Sequence, residues 1–147
     1  DKAVYVAVIS AEKSPRTLPR LGKMRDDPII RKDDHVELVF DATGQGKDRR
    51  QFAVNLDGVQ LDASRGDAKW DATWTTGVGQ GETEYVVEFR IPFEALGVPA
   101  PKSGDKWSFN VLRGRASRDP KWELFSQWVM TYADFNTPSH FGELTFE

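Results

Sequence analysis

Apolar and polar residues alternate along most of this chain with the two-residue period of a half-buried strand, not the roughly 3.6-residue period of a helix. In "HVELVFD" (35–41), Val36, Leu38 and Phe40 fall on one side and Glu37, Val39 and Asp41 on the other. "YVVEFRIPF" (85–93) sets Tyr85, Val87, Phe89 and Ile91 against Val86, Glu88 and Arg90. Pro92, which has no N–H for a ladder, ends that strand or leaves it at an edge. "QFAVNLDGVQLD" (51–62) predicts two strands joined at Asp57-Gly58, a pair favoured where a tight turn needs positive φ. "VYVAVIS" (4–10), "KWSFNVLRG" (106–114) and "FGELTFE" (141–147) continue the alternation.

Stretches rich in Gly, Asp, Pro and Arg separate these runs, and 13–34, 42–49, 63–69, 76–83, 97–105 and 114–121 read as loops. "PFEALG" (92–97) predicts one helical turn, opened by Pro92 and stopped by Gly97. No segment carries a helical apolar stripe over three turns. Many short strands punctuated by turn signals predict an all-β fold, an antiparallel β-sandwich of jelly-roll-like form, with residues 1–147 as a single domain. "VYVAVIS" has no polar lead-in, so the chain is expected to begin close to, or inside, a domain boundary.

Composition narrows the function classes. A chain of 147 residues, 39% hydrophobic and 29% charged, can bury a core as one soluble domain. The net charge of −3 comes from interspersed acids and bases, which leaves no broad basic field for nucleic acid. "DRR" (48–50) and "RGR" (113–115) are too short to track phosphates. No apolar run approaches the roughly 20 residues of a membrane span, and no signal-peptide pattern opens the sequence. The absence of cysteine removes disulfides, thiolate nucleophiles and cysteine-held metals.

The five tryptophans pose the sharpest question. Trp107 and Trp128 sit in alternating apolar segments and are expected in the core, as is Trp74. Trp70 follows the turn-rich "SRGDAK", and Trp122 lies beyond a proline loop; both are candidates for a solvent-facing rim. Trp70 and Trp74 would share a face in one regular strand. Trp74 inward with Trp70 outward therefore requires a bulge or a strand start between them.

Five stretches taken together resemble the family 9 carbohydrate-binding modules and the wider DOMON-like β-sandwiches. They are "KDDHVELVFD" (32–41), "QFAVNLDGVQLDASRGDAKWDATW" (51–74), "YVVEFRIPFEALG" (85–97), "GDKWSFNVLRGR" (104–115) and "FNTPSHFGELTF" (135–146), in the family's order and with similar spacing. The resemblance implies a non-catalytic module attached to a larger enzyme or envelope protein, outside the cytoplasm. It also implies one or two further strands before "VYVAVIS", and sugar held at a shallow site between two tryptophans. A pyranose has apolar C–H faces that pack on aromatic planes, while its hydroxyls need donors and acceptors. This chain departs at those positions. Ile29 and Ile30 stand where one stacking tryptophan is expected, Phe135 where its partner is, and Ala53 where an arginine is.

The candidate sugar contacts are Trp70, Trp122 and Phe135, with Asn55, Asn110, Arg113, Arg115 and Gln127 as polar partners. Asn55 and Asn110 fall mid-strand, where an amide must either be satisfied internally or meet a ligand. Arg49, Arg50, Arg65, Arg113, Arg115 and Arg118 could fork onto the carboxylates of an acidic polysaccharide, or form a solvated face. No cofactor is expected beyond a structural calcium, which family members can hold. "DATGQG" (41–46) offers oxygens from Asp41, with Asp48 nearby, but lacks the downstream bidentate glutamate of a calcium loop. DOMON-like haem ligation would draw on Met24, Met130, His35 and His140. A hydrolase would need paired carboxylates or a nucleophile with its base, and neither pattern is present. The expected function is carbohydrate recognition; a structural or protein-interaction sandwich is the competing class, and a haem domain the remote one.

Overall fold

A computed structural model describes residues 2–116, 124–131 and 137–147. Two antiparallel sheets face one another. The smaller has the order β1-β6-β5, built from Ala3–Ala11 (β1), Thr75–Gln80 (β5) and Glu84–Pro92 (β6). The larger has the order β4-β3-β2-β7-β8: Gln60–Ser64, Arg50–Asn55, His35–Asp41, Lys106–Arg115 and Leu124–Gln127. Gly142–Thr145 (β9) pairs the first half of β7, and β8 pairs its second half. The antiparallel sandwich predicted from the alternation is the fold, and no described segment is α-helical. Among the described residues no helix is long and apolar enough to cross a membrane.

The alternation decides which side chains meet between the sheets. Val36, Leu38 and Phe40 of β2 and Phe52 and Val54 of β3 face Tyr85, Val87, Phe89 and Ile91 of β6, and all are buried. Trp74 stacks on Phe89 with ring centres 5.8 Å apart, and Trp107 meets Phe40 edge-on. Such pairs add about 0.5–1.5 kcal/mol to area burial.

A polar clip ties the sheets at one corner. Arg113 of β7 donates to both oxygens of Asp34, to Glu12 just past β1 (2.9 Å), and to the Ala11 carbonyl. Arg115 adds a second pair to Glu12. The Tyr85 hydroxyl also donates to Asp34, and burial together with that carboxylate pushes its phenol up.

Three sequence expectations change. Residues 76–80, read as loop, lie in β5, because Gly77 and Gly79 dilute the strand signal while Val78 still pairs with Val87 of β6. The short β8 was not foreseen. Trp128, expected in the core, is 57% exposed. It sits just past β8, where β7 changes partner from β8 to β9, and its ring lies over Gly142 and against Phe109 at the sandwich margin. The predicted turn at 92–97 is present. The Leu96 amide donates to Phe93, and Gly97 takes φ 71° at its end, a conformation glycine adopts without strain.

Candidate functional site

The outward face of the large sheet carries the molecule's concentration of buried polarity. Directly opposed residues of antiparallel strands point to the same side. On β2, His35 faces Asn55 and Gly114, Glu37 faces Ala53 and Leu112, and Val39 faces Gln51 and Asn110. All of these lie on the face turned away from the small sheet, yet the whole of β2 is buried on both sides. The segment preceding β2 packs as a cover over the Ala53–Asn55 side of this face, and Val129 lies against Asn110 at the other end.

Local chemistry fixes that cover. The Asp33 carboxylate accepts from the backbone amides of Leu21 (2.7 Å) and Gly22 (2.9 Å) and from the Asn55 amide (2.9 Å). Asp27 caps the 3-10 turn Pro28–Lys32 by accepting from the Ile29 amide. That turn drives Ile30 onto Ala53 and Leu61, where it is fully buried. Gly22 closes over it, since a Cβ there would lie 2.6 Å from the Ile30 Cγ1.

Beside this aliphatic plug opens a groove of about 450 Å³. Glu37, Gln51 and Leu112 form its floor. Glu37 is only 6% exposed; it accepts from the Gln51 amide at 2.7 Å and meets the Arg31 Nε at 3.6 Å. Arg31 and Lys32 come from the 3-10 turn and Arg49 from the approach to β3, while Phe125 of β8 and Ala68 line other walls. A buried carboxylate held by an amide, with cations nearby, is equipped to accept hydroxyl hydrogen bonds and to meet an anion.

The other candidates fall elsewhere. Trp70 is half-buried before β5 begins, edge-on to Phe52, and Arg50 lies 4.8 Å over its ring. Trp70, Asp71 and Glu94 line a separate cavity of about 340 Å³. Trp74 is buried, and its indole N–H donates to Asp62 at 2.8 Å. Burial pushes that carboxyl up, against the bonds from Trp74 and Ala72 that favour its charge. Both indoles precede Thr75, so the strand start expected between them falls after both, and neither sits in a regular ladder.

Asn55 is fully buried with its amide spent internally: it donates to Gly22 and Asp33 and accepts from the amides of Asp57 and Val59. Asn110 likewise bridges Val111 and Val129. Arg113 and Arg115 are held in the clip, and Gln127 accepts from Thr131. Trp122 and Phe135 lie outside the described residues.

Asp41 accepts from Thr43 and from the Lys47 amide, and Asp48 from Arg50 and Arg65, so these carboxylates face N–H and O–H donors rather than one another. Among the described residues no three His, Asp or Glu side chains gather as a metal site. His35 is buried over Gly114 with its Nδ1 2.9 Å from the Asp33 carbonyl, whereas Met24 and Met130 are exposed.

A family model described as carbohydrate family 9 binding domain-like matches residues 20–147. The chain belongs to that family. A family 9 carbohydrate-binding module from Caldicellulosiruptor kristjanssonii, solved in complex with cellotriose, is similar at TM-score 0.75 and 19% identity, over 97% of this chain and 68% of that one. The same description with glucose gives TM-score 0.72 and 18% identity, over 99% and 71%. A candidate carbohydrate-binding protein from Bacteroides uniformis gives 0.70 and 17%, over 99% and 72%. A comparison with proteins of curated function gave no match.

Two positions read from the sequence as departures lie together in the structure. Of Ile29 and Ile30, where the resemblance implies one stacking tryptophan, Ile29 is exposed and Ile30 packs on Ala53, where it implies an arginine. The module keeps the sandwich and fills that part of the face with aliphatic carbon. Sequence reasoning passed over Glu37, Gln51, Arg31 and Lys32, because an outward strand face reads as solvated unless the loop that covers it is known. The signal was slight: Glu37 and Gln51 are long polar residues on paired strands with the same facing.

Proposed function

We propose that this module binds a poly- or oligosaccharide in the groove beside the Ile30 plug, on behalf of a larger enzyme or envelope protein outside the cytoplasm. The observation that carries the reading is the Glu37–Gln51 pair, buried at the floor of an open groove and bordered by Phe125 and two basic side chains of the 3-10 turn. Saccharide hydroxyls need fixed acceptors and donors, and a pyranose face needs apolar area; Phe125 and Leu112 offer the latter. The module acts by binding and not by catalysis. Glycoside hydrolysis takes two carboxyl groups about 5–10 Å apart, and Glu37 is the single carboxylate among the described residues that line the groove.

Titration with oligosaccharides, followed by backbone amide NMR shifts, tests the placement. Shifts should gather at Arg31–Lys32, Glu37, Gln51 and Leu112. Shifts centred on Trp70 instead would move the site to the smaller cavity, and shifts at Trp122 or Phe135 to the segments flanking β8.

A second reading, a structural domain that packs on a neighbour, draws on the outer face of the small sheet, where Tyr5 is 60% and Ile9 68% exposed. It predicts silence toward every saccharide, and slower amide exchange of β1 in the parent polypeptide than in the isolated domain.

A further inference from the structure

We infer that the groove selects saccharides bearing a carboxylate, that is, uronic-acid residues, over neutral sugars; this rests on the binding reading just given. Among the described residues the lining holds the cations Arg31 and Lys32 of the 3-10 turn, with Arg49 behind them, and the carboxylate of Glu37. This local excess of positive charge sits in a protein whose net charge is −3. Among the described residues neither Arg31 nor Lys32 donates a side-chain hydrogen bond, and Arg31 approaches Glu37 only at 3.6 Å, through Nε. A planar guanidinium meets a carboxylate in a fork, and charge-assisted bonds are shorter and stronger than those to neutral hydroxyls.

The plug supplies the other half of the inference. Neutral sugars are held chiefly by flat aromatic faces, and here the floor next to the groove is Ile30 on Ala53 and Leu61. Among the described residues that line the groove the aromatic rings are Phe125 and the buried imidazole of His35. With little stacking area among these residues, charge and hydrogen bonds supply the discrimination they offer. Glu37 offsets part of the rim charge through the Arg31 Nε and leaves Lys32 unpaired among the described residues. Its carboxylate lies at the floor, occupied by Gln51, where it is placed to accept a ring hydroxyl while the sugar's own carboxylate points outward to Arg31 and Lys32.

The test is calorimetric titration of the intact domain with a trigalacturonate, with cellotriose and with a sulfated oligosaccharide of the same length, at low and high salt. The uronate should bind about tenfold or more tightly than cellotriose, and weaken as salt rises. Arg31→Gln and Lys32→Gln should each reduce uronate affinity by about tenfold while leaving the thermal transition in place, since both side chains are at the surface. Equal or tighter binding of cellotriose overturns the selectivity and leaves the binding reading standing. A preference for the sulfated sugar overturns the carboxylate assignment. Silence toward all three, from a domain with an intact transition, overturns both readings together. Uronate binding that survives both substitutions unchanged overturns the assignment of these cations.

Discussion

The two sheets treat their outer faces in opposite ways. On the small sheet β1 alternates half-buried with exposed residues, with Tyr5, Ala7 and Ile9 facing solvent as simple alternation demands. On the large sheet every residue of β2 is buried: the segment from Leu21 to Lys32 packs over the neighbouring β3, and Val129 lies against Asn110 beside the far end of β2. A strand covered on one side can carry almost any residue on the other. A strand covered on both must satisfy each polar group it buries, and here those groups, Glu37, Gln51, Asn55 and Asp33, hold the cover in place and floor the groove. The chemistry of this module follows from the covering loop more than from the sheet.

Substitutions on the two faces should differ accordingly, beginning with the plug. Ile30→Ala removes a fully buried side chain and should cost about 2–5 kcal/mol in urea denaturation. A loss below about 1 kcal/mol would mean that the cover is not anchored by it. Gly114→Ala on the covered face would put a Cβ 2.1 Å from the His35 Cε1 and should cost about 1–3 kcal/mol. Gly79→Ala in β5 meets open space, and should be neutral or stabilise by up to about 1 kcal/mol, read from paired thermal melts.

Acid should loosen the corner where β1 meets β7. Burial alone would raise the Glu12 carboxyl, but the hydrogen bonds from Arg115 and Arg113 outweigh it and hold it below its ordinary 4.5. Its contribution is therefore complete above that value, and is lost as pH falls through and below it. Denaturant midpoints should drop on acidification, and the drop should shrink in Glu12→Gln. Smallest of all, Ile9→Ala on the bare face should stay within about 0.5 kcal/mol of the parent.

Much of the fold was legible in the sequence because period-two patterning survives wherever one face is apolar. The strands predicted around residues 35–41, 51–62, 85–93 and 106–114 lie where the pattern put them. β5 escaped because two of its six residues are glycines, which pair through the backbone without adding an apolar signal. Trp128 was misplaced because its neighbours in sequence alternate, while its burial depends on which strand lies next to β7 at that point. The groove was hidden for a related reason. The 13–34 stretch has no period, and its path depends on Asp33 and Asp27 binding backbone amides, which no count of hydrophobic residues can display. Asn55 and Asn110 could be singled out as odd mid-strand residues, but not assigned to turn and loop amides.

Ile30 and Ala53 touch, so their histories are bound together. A bulky side chain at 53 has nowhere to go while the isoleucine occupies the space, and shrinking the isoleucine first leaves a hole that weakens the molecule. Either change alone descends into a valley; only the pair crosses it. An engineer wishing to re-aim this module's taste would have to rewrite both codons at once.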